Sequence, residues 1–391
     1  MTDGGFELPG FRVAGAPVFN YALGPDMGIG EHPDVTVMLD LAMVFGSRLW
    51  GHDVYLDSVE QHAPGLGDLY AHELRDQANA ALCTRVAGEL GEAPDAWRAL
   101  VLHTGSEAVE TGIKTSLRAT GRSRLMAFEG GYHGTSGMAL AVTHGEQFRE
   151  PWAKQLPSTV RWSPWGEVPR LTRAVAAVVV EPWQGRAGVI APPEGFLAAL
   201  REECDRVGAL LVLDAVMCGA GRTGPTIAET LTEARPDVIC LGKAIGCGLA
   251  ASAVVVRAEH AVAAWEHGPV EPAHTSSTLG DPFACLGILR ALELLETRAG
   301  EIDAASGAWR GSLTSLAADA NLRLRGTGLL WALDTGVAGR GVELAWRLRD
   351  EHRILVVPSG LDGASITLYP PATGIDLERE RFVDAVLAVQ R

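Results

Sequence analysis

The sequence predicts an α/β fold: a large domain on a mostly parallel β-sheet with helices on both faces, and a smaller α+β domain formed by the N- and C-terminal segments. Three observations predict it. Between residues 97 and 260, short apolar runs alternate with helical patterns, the rhythm of repeated β–α–β units. The runs are continuous rather than alternating in polarity, as in strands covered on both faces. At 391 residues the chain also exceeds the length at which one hydrophobic core stops growing, so a second domain is expected.

Arg98–Leu102 is the first of these strands and leads to a helix near Ser106–Thr120. Arg124–Phe128 is the second. Ala174–Val180 is the third, followed by a helix near Pro193–Val207. Ala209–Leu213, Val238–Leu241 and Ala253–Val256 complete the set. A long helix over Pro282–Thr297 then leaves the sheet domain. Beyond it, Leu324–Leu333, Ile354–Val357 and Ile366–Leu368 read as strands, with helices near Val342–Glu351 and Leu377–Val389. The expected division is residues 1–45 as the N-terminal part of the small domain, 46–285 as the large domain and 286–391 as the C-terminal part of the small domain.

Composition narrows the function. A net charge of -15 argues against nucleic acid or an anionic membrane as partner. No apolar run approaches the ~18–20 residues of a membrane span. Met-Thr-Asp-Gly-Gly at the start lacks the basic-then-apolar order of a signal peptide. The six cysteines are scattered and form no Cys-x-x-Cys pair, which suits reduced core residues and no structural metal. A cytoplasmic enzyme is the expectation.

The chain has three lysines, and Lys243 is the one in an unusual place: it follows the apolar run Val238–Leu241 and precedes a glycine-rich loop. A strand-end lysine also suits a side chain that snorkels to water. Partial burial would instead lower its pKa and free the lone pair for a Schiff base. In an open α/β sheet, ligands bind beyond the C-terminal ends of the strands. Glu181, Asp214 and Lys243 all stand at such ends, so two carboxylates and an amine are expected to face one crevice. An acid after a strand is by itself more often a turn or cap residue; three at successive strand ends are harder to explain that way. Thr104-Gly105-Ser106-Glu107 opens a helix, where amides and the helix dipole favour a phosphate, although a plain helix cap reads the same way. Glu129-Gly130-Gly131-Tyr132-His133-Gly134 brings an aromatic ring to the crevice mouth.

These are the parts that pyridoxal 5'-phosphate needs: a lysine to bond it, a buried carboxylate at its pyridine nitrogen, a helix N-terminus for its phosphate and a ring against its face. Neither a P-loop nor a Gly-x-Gly-x-x-Gly after the first strand is present.

From about residue 38 to 390 the chain resembles the class-III aminotransferases, of fold type I among pyridoxal phosphate enzymes. The resemblance rests on Met38-Leu39-Asp40 through Leu49-Trp50-Gly51-His52, Thr104-Gly105-Ser106-Glu107-Ala108-Val109-Glu110, Phe128–Gly134, Glu181-Pro182-Trp183-Gln184-Gly185, Asp214-Ala215-Val216-Met217, Gly221-Arg222-Thr223-Gly224 and Leu241-Gly242-Lys243-Ala244. It implies that Lys243 carries the cofactor and moves the proton, and that Asp214 pairs with the pyridine nitrogen. Tyr132 and Val216 would cover the two ring faces, and Gly105 and Ser106 would bind the phosphate. Glu181, His133 and Met217 are expected at the cofactor, His133 with its role open. Ser277 and Thr278 would lie on a loop that reaches the partner subunit's phosphate, so a homodimer is implied.

The departures bear on substrate. Met217 stands where the family has a glutamine near the cofactor's 3'-oxygen, and cannot donate that hydrogen bond; methionine there resembles the aminomutase branch. Thr367 stands where many members carry an arginine, three residues before Pro370-Pro371, that grips the substrate α-carboxylate. Arg186 stands where those members have the glutamate that masks that arginine. Arg186 is therefore a candidate replacement clamp. Alternatively, the substrate lacks an α-carboxylate, as an amino sugar or another specialised-metabolite precursor does. Trp50 in the entry segment is a further substrate-side candidate. The expected activity is amino transfer from a donor such as L-glutamate to a keto or aldehyde acceptor, with an aminomutase, epimerase or lyase on the same scaffold as the alternative.

Overall fold

The computed structural model describes residues 21–23, 26–29, 36–52, 72–266, 273–373 and 376–390. Residues 1–20 of the expected N-terminal segment lie outside the described residues.

Strands β1 (Tyr21–Leu23), β2 (Asp26–Ile29) and β3 (Thr36–Asp40) form an antiparallel meander. The large sheet follows, with β4 (Trp97–Leu102), β5 (Arg124–Phe128), β6 (Val160–Ser163), β7 (Val175–Val180), β8 (Leu210–Asp214), β9 (Val238–Leu241) and β10 (Ser252–Arg257) in the order β4-β10-β9-β8-β7-β5-β6. The pairs among β5 to β9 are parallel, and β10 is antiparallel to both of its neighbours. Six strands thus run one way and β10 alone is reversed. The continuous apolar runs have the burial they imply: every residue of β7, β8 and β9 is buried. Alternate side chains serve opposite faces. Leu211, Leu213, Ile239 and Leu241 join one core, and Val212, Val238 and Cys240 join the other.

Helix α1 (Glu73–Leu90) and helix α2 (Gly105–Thr120) flank the sheet. The N-terminus of α2 is fixed by a capping box: Glu107 N–H donates to Thr104 Oγ1 (3.2 Å) while Glu107 Oε2 accepts from Thr104 N–H (2.8 Å). Helix α3 (Gly137–Val142) follows β5, and α4 (Phe196–Val207) follows β7. After β10 come α5 (Ala258–Trp265) and α6 (Pro282–Thr297), the latter started by proline and capped by Asp281. The domain boundary expected at 285/286 therefore falls inside α6, which packs along α1.

The C-terminal region adds α7 (Ala299–Asp319), a sheet of β11 (Arg323–Thr327), β12 (Leu330–Asp334), β14 (Val357–Ser359) and β15 (Ser365–Leu368), and helices α8 (Arg340–His352) and α9 (Asp376–Gln390). The single strand expected over Leu324–Leu333 is a hairpin, turning at Gly328 with φ +59°. The strand expected over Ile354–Val357 is divided. Its first half, β13 (Ile354–Leu355), pairs in parallel with β3 and so ties the two ends of the chain together, while β14 pairs with β15. Arg222 fastens this region to the large sheet. It is fully buried and donates to the carbonyls of Gly46 (2.8 Å), Pro370 (2.7 Å) and Leu329 (3.1 Å).

Candidate active site

Because β7, β8 and β9 are parallel, the residues that follow them emerge at one edge of the sheet. There a cavity of about 180 Å³ is lined by Gly105, Ser106, Tyr132, His133, Gly134, Glu181, Asp214, Val216, Met217 and Lys243. The sequence singled out all of these by chemistry or motif.

Asp214 ends β8 and is buried. Its Oδ2 accepts from Nδ1 of His133 (2.8 Å) and its Oδ1 from the Val216 amide (3.1 Å). His133 is buried too, and its amide donates to Thr143 Oγ1 (2.9 Å). Burial opposes a charge on the imidazole. The hydrogen bond and charge of Asp214, with Glu181 behind it, outweigh that and hold the His133 pKa above its ordinary value.

Glu181 accepts from the amides of Tyr132 (2.9 Å) and Gly185 (3.2 Å), one with each oxygen. It thereby joins the loop after β5 to the turn after β7. Burial, the leading cause, raises its pKa to about 7, with Asp214 adding to the rise and His133 opposing it. The geometry gives Glu181 the task of placing the Tyr132 ring.

Lys243 opens a short 3-10 turn directly after Gly242, with φ +51°, the left-handed region that side chains rarely adopt. Burial lowers its pKa, against the opposing pull of Asp214 and Glu181, which favours the neutral amine needed for covalent chemistry.

With Thr104 as the cap, Gly105 and Ser106 are the first two residues of α2, and their amides have no acceptor among the described residues. Gly105 is held to glycine by packing: a Cβ there would come within 2.6 Å of Val216 Cγ1. An amine, a buried carboxylate facing it, open amides at a helix start and a ring beside them fit pyridoxal 5'-phosphate.

Residues 59–386 match the family model for aminotransferase class III. The chain belongs to the class-III aminotransferases. This aminotransferase is 34% identical over 293 residues to the acetylornithine aminotransferase of Methanopyrus kandleri, covering 73% of this chain and 72% of that one. It is 37% identical over 201 residues, half of each chain, to the [LysW]-aminoadipate semialdehyde/glutamate semialdehyde transaminase of Sulfurisphaera tokodaii. Its fold matches ornithine aminotransferase from Toxoplasma gondii with a TM-score of 0.84 at 22% identity, over 99% of this chain and 93% of that one. The cofactor of the aminotransferase is pyridoxal 5'-phosphate; Lys243, Asp214, Tyr132, Val216, Gly105 and Ser106 line the cavity described above.

Other residues named from the sequence lie elsewhere in this chain. Ser277 and Thr278 are exposed, away from the cavity, on the segment leading into α6. Trp50 does not line the cavity: its ring is buried beneath Arg298, 5.0 Å away. Thr367 is fully buried in β15 and bonds Ser359 (2.7 Å). Arg186 is exposed and stacks over the rings of Tyr132 (5.4 Å) and Phe148 (4.9 Å), which themselves meet edge-on. No carboxylate among the described residues pairs with it.

Two contributors were not among the residues expected from the sequence. Phe148 meets the Tyr132 ring from further along the same connection between β5 and β6. Tyr369 donates its hydroxyl to Met217 Sδ (3.5 Å); its position just before Pro370-Pro371 was the one available hint.

Proposed function

We propose that this aminotransferase takes an amino group from L-glutamate and passes it to an aldehyde or keto acceptor that bears a carboxylate. The observation that carries this reading is Arg186: a guanidinium with no acidic partner among the described residues, braced on two aromatic rings beside the cavity. Such a group suits a bidentate carboxylate and has no role toward a neutral sugar that a shorter polar side chain would not fill. The relatives named for acetylornithine and for semialdehydes favour the same choice over an amino-sugar acceptor.

Bound pyridoxal phosphate supplies an electron sink for the substrate carbon that loses its proton. The chain's own residues do the rest. Lys243, neutral through burial, takes that proton at Nζ and returns it. Asp214, fixed by His133 and the Val216 amide, keeps a negative charge at the pyridine nitrogen. Tyr132 and Val216 fix the ring plane. Ser277 and Thr278 complete the phosphate site of a second subunit, making the working form a homodimer.

Met217 favours a second reading. It lines the cavity with a thioether that accepts from Tyr369, which leaves aminomutase chemistry as the competing reaction. The test is the visible spectrum of the purified holoenzyme before and after L-glutamate. Loss of the yellow band with release of 2-oxoglutarate supports amino transfer. A band that glutamate leaves unchanged overturns glutamate as donor.

A further inference from the structure

Next to the cofactor cavity lies a second pocket of about 170 Å³, reached past Tyr132, the one residue that lines both. Its walls include Tyr132, Gln147, Phe148, Arg186, Ser359 and Gly360. Arg186 is the sole charged residue among those lining it, and no carboxylate does. The pocket is built from several segments: the region after β5, carrying Tyr132 and Phe148, the turn after β7, carrying Arg186, the hairpin β14–β15, carrying Ser359, and Val342 of α8. A backbone bond fastens the turn to the hairpin, Gly360 N–H donating to the carbonyl of Arg186 (3.2 Å). Arg186 and the residue next to Gly360 are thus fixed relative to each other.

Ser359 is 7% exposed, and its hydroxyl lies 2.7 Å from that of Thr367, which is fully buried. The direction of that bond follows from burial. Thr367 is a diagonal cross-strand neighbour, since its direct partner in the ladder is Val357. Among the described residues its hydroxyl has no other acceptor, so its proton goes to Ser359; the reverse would bury an unpartnered O–H, which is costly. Ser359 then keeps its own proton, and the pocket is where that proton can be used. The position from which the resembled family sends an arginine therefore supports a hydroxyl donor instead.

We propose that Ser359, oriented by Thr367, and Arg186 form a two-donor subsite for a substrate carboxylate that lies beyond the Tyr132 ring from the reacting carbon. This rests on the amino-transfer reading only for the identity of the reacting carbon; the carboxylate preference stands by itself. Arg186 supplies charge and a planar fork, and Ser359 supplies a directed hydrogen bond to the same anion. Ser359 is a specificity-determining residue, and Thr367 is a positioning residue that acts through it.

The test is calorimetric binding of pentanoate and of its neutral amide, pentanamide, to the holoenzyme, which requires no turnover. Wild-type protein is expected to prefer pentanoate by tenfold or more. Ser359→Ala and Arg186→Gln should each cut that preference at least threefold, while pentanamide affinity changes less than twofold. Thr367→Val should reduce the preference and Thr367→Ser should restore it, since serine keeps the hydroxyl. Equal affinity of wild-type protein for acid and amide overturns the proposal, and so does a Ser359→Ala preference equal to wild type. The amino-transfer reading fails separately: the acid would still be preferred, but neither glutamate nor 5-aminopentanoate would bleach the yellow band.

Discussion

Glu181 Oε1 accepts the Tyr132 amide at 2.9 Å, so a buried carboxylate from one strand end sets the position of an aromatic ring from another. The same residue prefers its proton, with a pKa raised to about 7. A group whose folded-state pKa lies above its unfolded value contributes stability that is complete below the unfolded pKa. That contribution is lost as pH rises through the folded one. For Glu181 the window runs from about 4.5 to about 7. Cofactor-free protein should therefore show a melting midpoint that falls across this range. His133, also raised, adds in the same sense. Glu181→Gln should give a shallower fall; an identical profile in the two proteins would count against the assignment.

Asp214 and His133 are expected to act as a unit. Asp214→Asn removes the fixed negative charge while keeping an oxygen for the imidazole. The kcat of amino transfer should drop about a hundredfold or more, with a smaller change in cofactor affinity. Single-turnover absorbance and cofactor titration separate the two effects. Turnover within a factor of two of wild type would remove Asp214 from its place at the pyridine nitrogen.

Close packing at Gly105 makes a paired prediction. Gly105→Ala puts a methyl group against Val216, a clash costing about 1–3 kcal/mol. Cofactor retention on dialysis should fall. Adding Val216→Ala opens the space and should recover part of it, whereas no recovery in the double variant would show that Val216 is not the neighbour that matters.

Arg222 gives a prediction about the whole fold. Burial pushes its pKa down to about 9, so it stays charged at neutral pH, neutralised by carbonyl dipoles. Arg222→Leu would leave three buried carbonyls without their donor and should cost about 3 kcal/mol or more. A melting midpoint within about 2 °C of wild type would contradict this clamp.

Much of the large sheet was legible because its central strands are buried on both faces, and Val-Val-Val or Leu-Leu-Val-Leu permits little else. The edge strand β6 was not: Val160-Arg161-Trp162-Ser163 has one exposed charged position and no apolar run. The reversal of β10 left no mark either, since a run such as Ala253–Val256 reads the same in both directions of the sheet. Helices α1 and α7 were missed because, although their buried residues keep helical spacing, such as Ala78, Leu82 and Val86 in α1 and Trp309, Leu313 and Leu316 in α7, alanines and glycines on the other positions leave little contrast between the two faces. The cofactor side of the site was visible through residues that chemistry restricts, such as Lys243 and Asp214. The substrate side was less so. Trp50 carried its motif position into a place where the side chain serves packing, Thr367 is buried with its hydroxyl on Ser359, and Ser359 became visible only when β14 and β15 were paired.

Lys243 holds a backbone conformation better suited to glycine or asparagine, at a cost of roughly 1–2 kcal/mol. A library screened only for folded, well-expressed protein would therefore enrich residues at this position that abolish the enzyme. Consensus or stability-guided redesign of this chain should treat 243 as a site where the two selections point in opposite directions.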